Sequence, residues 1–122
     1  MEISNGVKKY FVVYADYGRT WGWLRCEKDS KIWEEGNIGF DVTLDIDDIN
    51  IDNSLLEEIN DWQLYFERLS FYDEKMDWNT FNRTGEQLTE RLKPYIIHLF
   101  DSVIYEPPFE YYEYLERKIK LN

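Results

Sequence analysis

Five aspartates, Asp41, Asp45, Asp47, Asp48 and Asp52, crowd into one short stretch of this chain. Carboxylates at that density are the oxygen donors that calcium takes. The spacing fails the helix–loop–helix calcium pattern, however. Counted from Asp45, the third position is Asp47, but the fifth is Ile49 and the sixth is Asn50, where the sharp turn requires glycine. The cluster reads as a solvated acidic face, and no metal or other cofactor is expected. The other candidates for chemistry are weaker. His98, the one histidine, sits among Ile96, Ile97, Leu99 and Phe100, which reads as a core or boundary position. Cys26 falls in a strand-like segment with no partner motif. No nucleophile elbow, phosphate loop or dinucleotide fingerprint occurs. Paired carboxylates could serve glycosidic chemistry, but among 25 acids any one pair is uninformative. The expectation is a protein that is not an enzyme.

The acids matter more as a field than as ligands. No lysine or arginine occurs from Ile32 to Glu67. Between Glu27 and Asp61 there are twelve acids against two bases, Lys28 and Lys31, which is −10 of the formal net charge of −11. Such concentration works against compactness, so it calls for a reason: solubility or a basic partner. It also argues against direct binding to nucleic acid or to an anionic membrane, which requires a basic face. The lone cysteine forms no internal disulfide. The segment MEISNGVKKY lacks the apolar run of a signal peptide. These features fit a cytoplasmic protein, and 122 residues fit a single domain spanning 1–122. Aromatic residues make up 18% of the chain, enough to set it apart from disordered sequences.

The elements that must carry this face can be read from period and punctuation. Lys9 to Asp16 and Thr20 to Glu27 read as strands joined in a hairpin through Tyr17-Gly18-Arg19. The first is apolar throughout, as when both faces are covered. The second alternates Trp21, Trp23 and Arg25 against Gly22, Leu24 and Cys26. Asp29 to Asn37 reads as a polar connection around Trp33. Gly39 to Asp45 alternates like a half-exposed strand. Asp45 to Asp52 fits neither period. A helix follows, with Ser54 and Glu57 as a capping box and Leu55, Ile59, Trp62, Phe66 and Leu69 as its apolar stripe. A second helix begins after Asp77, with Phe81, Gly85, Leu88, Leu92 and Tyr95 on one face. Gly85 costs a helix about 1 kcal/mol relative to alanine, which implies close approach to the sheet or to the first helix. Pro94 either interrupts or kinks this helix. Ser102 to Tyr105 reads as a short strand and Phe109 to Lys120 as a further helix. The expected fold class is α+β: an antiparallel sheet of about four strands packed against two or three helices.

Trp62, Phe66, Phe81 and Tyr95 fall on helical stripes and read as core. Trp21 and Trp23 suit either the core or an interface. Trp33, Tyr17 and Tyr72 sit beside acids, where large amphipathic side chains make good interface anchors. The candidate partner-binding residues are therefore Trp33, Glu34, Glu35, Asp41, Asp45, Asp47, Asp48, Asp52 and Tyr72.

The run Trp78-Asn79-Thr80-Phe81-Asn82-Arg83-Thr84-Gly85-Glu86-Gln87-Leu88, followed by Leu92-Lys93 and Val103-Ile104-Tyr105, resembles a pattern of bacterial immunity proteins. In that pattern a Trp-containing turn leads to Phe-x-x-x-Gly-x-x-Leu-x-x-x-Leu and then to a strand ending in tyrosine. The helix before it, with Leu55, Ile59, Trp62 and Phe66, is also similar. The resemblance covers roughly Leu55 to Tyr105 and leaves out most of the acidic tract. It implies a non-catalytic protein that neutralises a cognate toxin domain, as in contact-dependent growth inhibition and related polymorphic toxin systems. Many such toxins are nucleases with basic surfaces, and an acidic inhibitor can imitate nucleic acid. The alternative is an acidic interaction adaptor unrelated to toxins. The sequence leaves the oligomeric state open.

Overall fold

The computed structural model describes residues 7–18, 20–28, 31–37, 51–69 and 76–121. Strands β1 (Val7–Asp16) and β2 (Thr20–Lys28) form the expected hairpin. Its turn uses Gly18 at φ 84°, a left-handed conformation that costs glycine least. Two residues separate β2 from β3 (Lys31–Asn37), which pairs antiparallel to β2. β4 (Ser102–Tyr105) lies on the other side of β1, parallel to it, with Phe11 opposite Val103. The strand order is β3-β2-β1-β4.

The α+β class therefore holds, but the sheet is mixed and not purely antiparallel. The segment around Trp33, read above as a connection, is strand β3. The two-residue link favours a hairpin, and a strand at a sheet edge tolerates charges that a central strand would not. The strand read at Gly39 to Asp45 lies outside the described residues.

Two helices cover one face of the sheet. α1 (Asn53–Leu69) buries Leu55, Ile59, Trp62 and Phe66, the expected stripe. Its cap is not the Ser54/Glu57 box. The Asp52 carbonyl accepts from the Leu56 amide, and the Asp52 carboxylate accepts from the Ser54 amide at 3.2 Å. Asp52 thus satisfies an orphan donor from a position two residues before Ser54.

α2 (Trp78–Ile96) is capped by Asp77, whose carboxylate accepts from the Thr80 amide at 3.1 Å and the Thr80 hydroxyl at 2.8 Å. The helix runs through Pro94 to Ile96 before tightening into a 3-10 turn at Ile97–Leu99. His98 is exposed on that turn and is not a core residue. α3 (Phe109–Leu121) ends the described chain. No helix among the described residues is long and apolar enough to cross a membrane.

The core joins Phe11, Val13 and Ala15 of β1 to Ile59, Trp62 and Phe66 of α1 and Leu88, Leu92 and Ile96 of α2. Val12, on the other face of β1, is only 1% exposed, so both faces of this strand are covered as its composition suggests. The two candidate tryptophans of β2 part company. Trp21 enters the core, edge-on to Phe11 at 6.2 Å, and its indole N–H donates to Asn60 Oδ1 at 3.2 Å. Trp23 stays outside that core, pairs with Val12, and donates its indole N–H to the Tyr14 carbonyl at 3.0 Å. Strict alternation would put both on one side. The register shift between Val13 and Asp16 breaks it, as a bulge re-aims a side chain.

Gly85 sits where α1, α2 and β4 converge. A Cβ there would lie 2.7 Å from Tyr105 Cζ and 2.8 Å from Trp62 Cζ2, with Tyr105 Cε1 closer still. We predict that Gly85→Ala destabilises the protein by about 1–3 kcal/mol through overpacking. Helix propensity alone would stabilise by about 1 kcal/mol, so urea unfolding separates the two effects by sign.

Candidate functional site

Of the nine candidate binding residues, three lie on β3. Glu34 stands opposite Cys26 and Glu35 opposite Arg25 in the β2–β3 register, and Trp33 precedes them. β3 is a sheet edge in the described residues, so these positions fall on a strand paired along one side only. Asp52 is exposed at the start of α1. Asp41, Asp45, Asp47, Asp48 and Tyr72 lie outside the described residues. The structure thus places the two ends of the acidic tract, one on the sheet edge and one on the helical layer. Tyr17 is exposed at the hairpin turn, its ring 5.1 Å from that of Phe66. No cluster of three metal-ligating side chains occurs among the described residues.

The acidic end on α1 borders a concavity that the sequence reading missed. A groove of about 320 Å³ lies between α1 and α2, lined by Asp61, Trp62, Tyr65, Phe81 and Thr84 among others. A second depression of about 420 Å³ continues it past Gln87 to Arg91, sharing Glu58, Thr84 and Leu88. The floor is aromatic: Trp62 and Phe81 stack at 4.7 Å and 11°. The Trp62 indole N–H donates to the Phe81 carbonyl at 3.0 Å, which fixes the ring without exposing its donor. Tyr65 stacks on Phe81 at 6.3 Å and stays 38% exposed on the rim.

The rim on the α1 side is acidic, with Glu57, Glu58 and Asp61 all exposed. Arg91 reaches from α2 to grip Glu58 with two bonds of 2.7 and 2.9 Å. The hydrogen bond to Arg91 holds the Glu58 carboxyl below its ordinary range. Both partners are half exposed, so the pair adds little stability and serves chiefly to fix geometry at this end. The readable signal for the groove was the pair Asp61 and Tyr65, which lie off the buried stripe of α1.

The residues that carry the family resemblance form one packing unit. Phe81, Gly85, Leu88 and Leu92 are all buried, and Tyr105 closes over Gly85 while donating to Asn82 Oδ1 at 2.6 Å. Burial pushes the Tyr105 hydroxyl far up from its ordinary range, so it remains a donor. That unit accounts for the spacing of the motif by core packing. Comparisons with family models, with curated proteins and with solved structures found no match.

On the sheet face away from α1 and α2, Arg25 and Glu106 form a two-bond pair, one bond at 2.9 Å. Nearby, the Phe109 amide donates to the Tyr14 hydroxyl at 3.3 Å, tying α3 to β1. Partial burial, then the charges of Asp16 and Glu113, push the Glu110 carboxyl up. The folded state therefore holds this proton more tightly than the unfolded state. Its contribution is most favourable below the ordinary glutamate range and is lost as pH rises through the folded value. Glu110→Gln should raise the thermal midpoint at neutral pH, and that gain should vanish in acid, as followed by circular dichroism across pH.

Proposed function

We propose that this protein is a non-catalytic immunity protein that binds and neutralises a cognate bacterial toxin domain. The toxin would be a nuclease with a basic substrate surface, met in the cytoplasm. The observation that carries this reading is the concentration of ten excess negative charges between Glu27 and Asp61. The described ends of that stretch add support. One lies on edge strand β3 and the other on the exposed side of α1. An acidic surface raises the encounter rate with a basic target and steers its orientation. Aromatic anchors, Trp33 and Tyr72 foremost, would then slow dissociation. Neutralisation would be stoichiometric, by covering or distorting the toxin's active site, so no side chain needs to act as base or nucleophile.

The test is co-expression with the C-terminal domain of the toxin encoded beside this chain's gene. Restored growth and co-purification are expected; failure of both overturns the reading. Binding without rescue would instead favour an acidic adaptor. Replacing Asp45, Asp47 and Asp48 together by lysine should slow association at least about tenfold at low salt. The difference should shrink as salt screens the charges. Trp33→Ala should act on the off-rate, at a cost of about 2 kcal/mol.

A further inference from the structure

The first turn of α3 carries a carboxyl into an acidic corner of the fold. Glu106 donates its amide to the Val13 carbonyl at 3.0 Å, which brings the chain alongside Tyr14 of β1. The buried Pro108 leads into α3, and the Phe109 amide donates to the Tyr14 hydroxyl at 3.3 Å. Glu110, the next residue, is thereby set beside Asp16 at the end of β1, with Glu113 one turn further along α3. Glu106 is the third carboxylate near Tyr14, and the Arg25 guanidinium of β2 is engaged by it through two bonds. Asp16, Glu110 and Glu113 are left facing one another. A half-buried Glu110 is disfavoured as an anion in such company. Burial weighs most, the Glu110 amide at the helix start opposes it, and Asp16 and Glu113 add to it.

The rest of α3 is lightly held. None of its described side chains is buried, and every residue from Glu116 to Lys120 is exposed. Tyr111 and Tyr114 lie against Trp78, with ring centres 5.9 and 6.3 Å away, and the Lys118 ammonium sits 5.5 Å over the Tyr114 ring. An element with so few buried contacts opens locally at lower cost than the core. Trp78 itself is 3% exposed and belongs to the core. Opening of α3 alone would therefore bare one face of that ring at the start of α2.

We propose that α3 is a proton-operated latch: with Glu110 neutral it stays closed over Trp78, and with Glu110 ionised it opens more readily while the sheet, α1 and α2 remain folded. Opening breaks the Phe109–Tyr14 bond and carries Glu110 away from Asp16 into water, where its charge is no longer disfavoured. The closed form thus binds the proton more tightly than the open one. Closure is fully favoured below the ordinary glutamate range, weakens as pH rises through the closed-state value, and is constant above it. Burial pushes the Tyr14 hydroxyl up, so it keeps its proton throughout that range and the groups that change are carboxyls. The inference stands independently of the immunity reading.

Hydrogen exchange of the full chain, followed amide by amide by NMR from acid to neutral pH, tests it. After correction for the pH dependence of intrinsic exchange, opening at the α3 amides should rise about three- to tenfold across the glutamate range and then level off. The buried amides of α2 should exchange more slowly and not follow that step. Glu110→Gln should flatten the α3 profile at its acid level. Asp16→Asn, which keeps an acceptor for the Tyr17 amide, should shrink the step. Amides of α3 that exchange in parallel with those of α2 at every pH overturn the inference, because the helix then leaves only with the whole fold. So does a wild-type profile without a step, or a step that survives Glu110→Gln, since another group must then carry it.

Discussion

At Gly85 the backbone of α2 comes so close to Tyr105 and Trp62 that there is no space for a single methyl group. The helical layer and the sheet edge are joined there. Trp62 can lie flat on Phe81 because Gly85 leaves room for its ring edge, and Tyr105 can reach Asn82 because the same gap admits its ring. The Thr89 hydroxyl caps the arrangement by donating to the Gly85 carbonyl at 2.7 Å. A glycine in mid-helix sacrifices propensity. Here the sacrifice is offset by aromatic contact among three elements, which exceeds what a methyl could supply.

This close approach also shapes the surface. With Trp62 and Phe81 stacked and anchored, the space between α1 and α2 closes at the bottom and opens at the top, leaving a groove with an aromatic floor. The acids of α1 that escape the core stripe then become its rim. Glu58 is engaged by Arg91, whereas Asp61 and Glu57 face outward. The opposite end of the acidic tract lies on β3, the edge strand beside β2. Among the described residues, the negative charge is therefore attached to two different elements of the fold, edge strand β3 and helix α1.

The sequence was explicit wherever local rules ruled. Leu55, Ile59, Trp62 and Phe66 gave α1 by period, and Asp77 gave the start of α2 by its capping chemistry. Gly85 was legible as a site of close approach, because nothing else explains glycine on an apolar helical face. Three features were not legible. β3 looked like a loop, since its polar sequence carries no apolar period and its ladder with β2 is a tertiary contact. Trp21 and Trp23 looked equivalent, since a register shift leaves no mark in composition. Asp52 looked like one more surface acid, although its carbonyl and carboxylate cap α1.

Composition and spacing by themselves determined the α+β class, the helices, the apolar stripes and the uneven charge. Each of these depends on a residue and its near neighbours, through side-chain period, capping or net charge. Tertiary structure alone decided the direction of β4, the division of the tryptophans and the existence of the groove. A strand reads the same in either direction, and only the passage of the chain across the helical layer sets it parallel to β1. The groove likewise belongs to no segment: Asp61 and Tyr65 come from α1, Thr84 and Arg91 from α2, and only packing brings them to one rim.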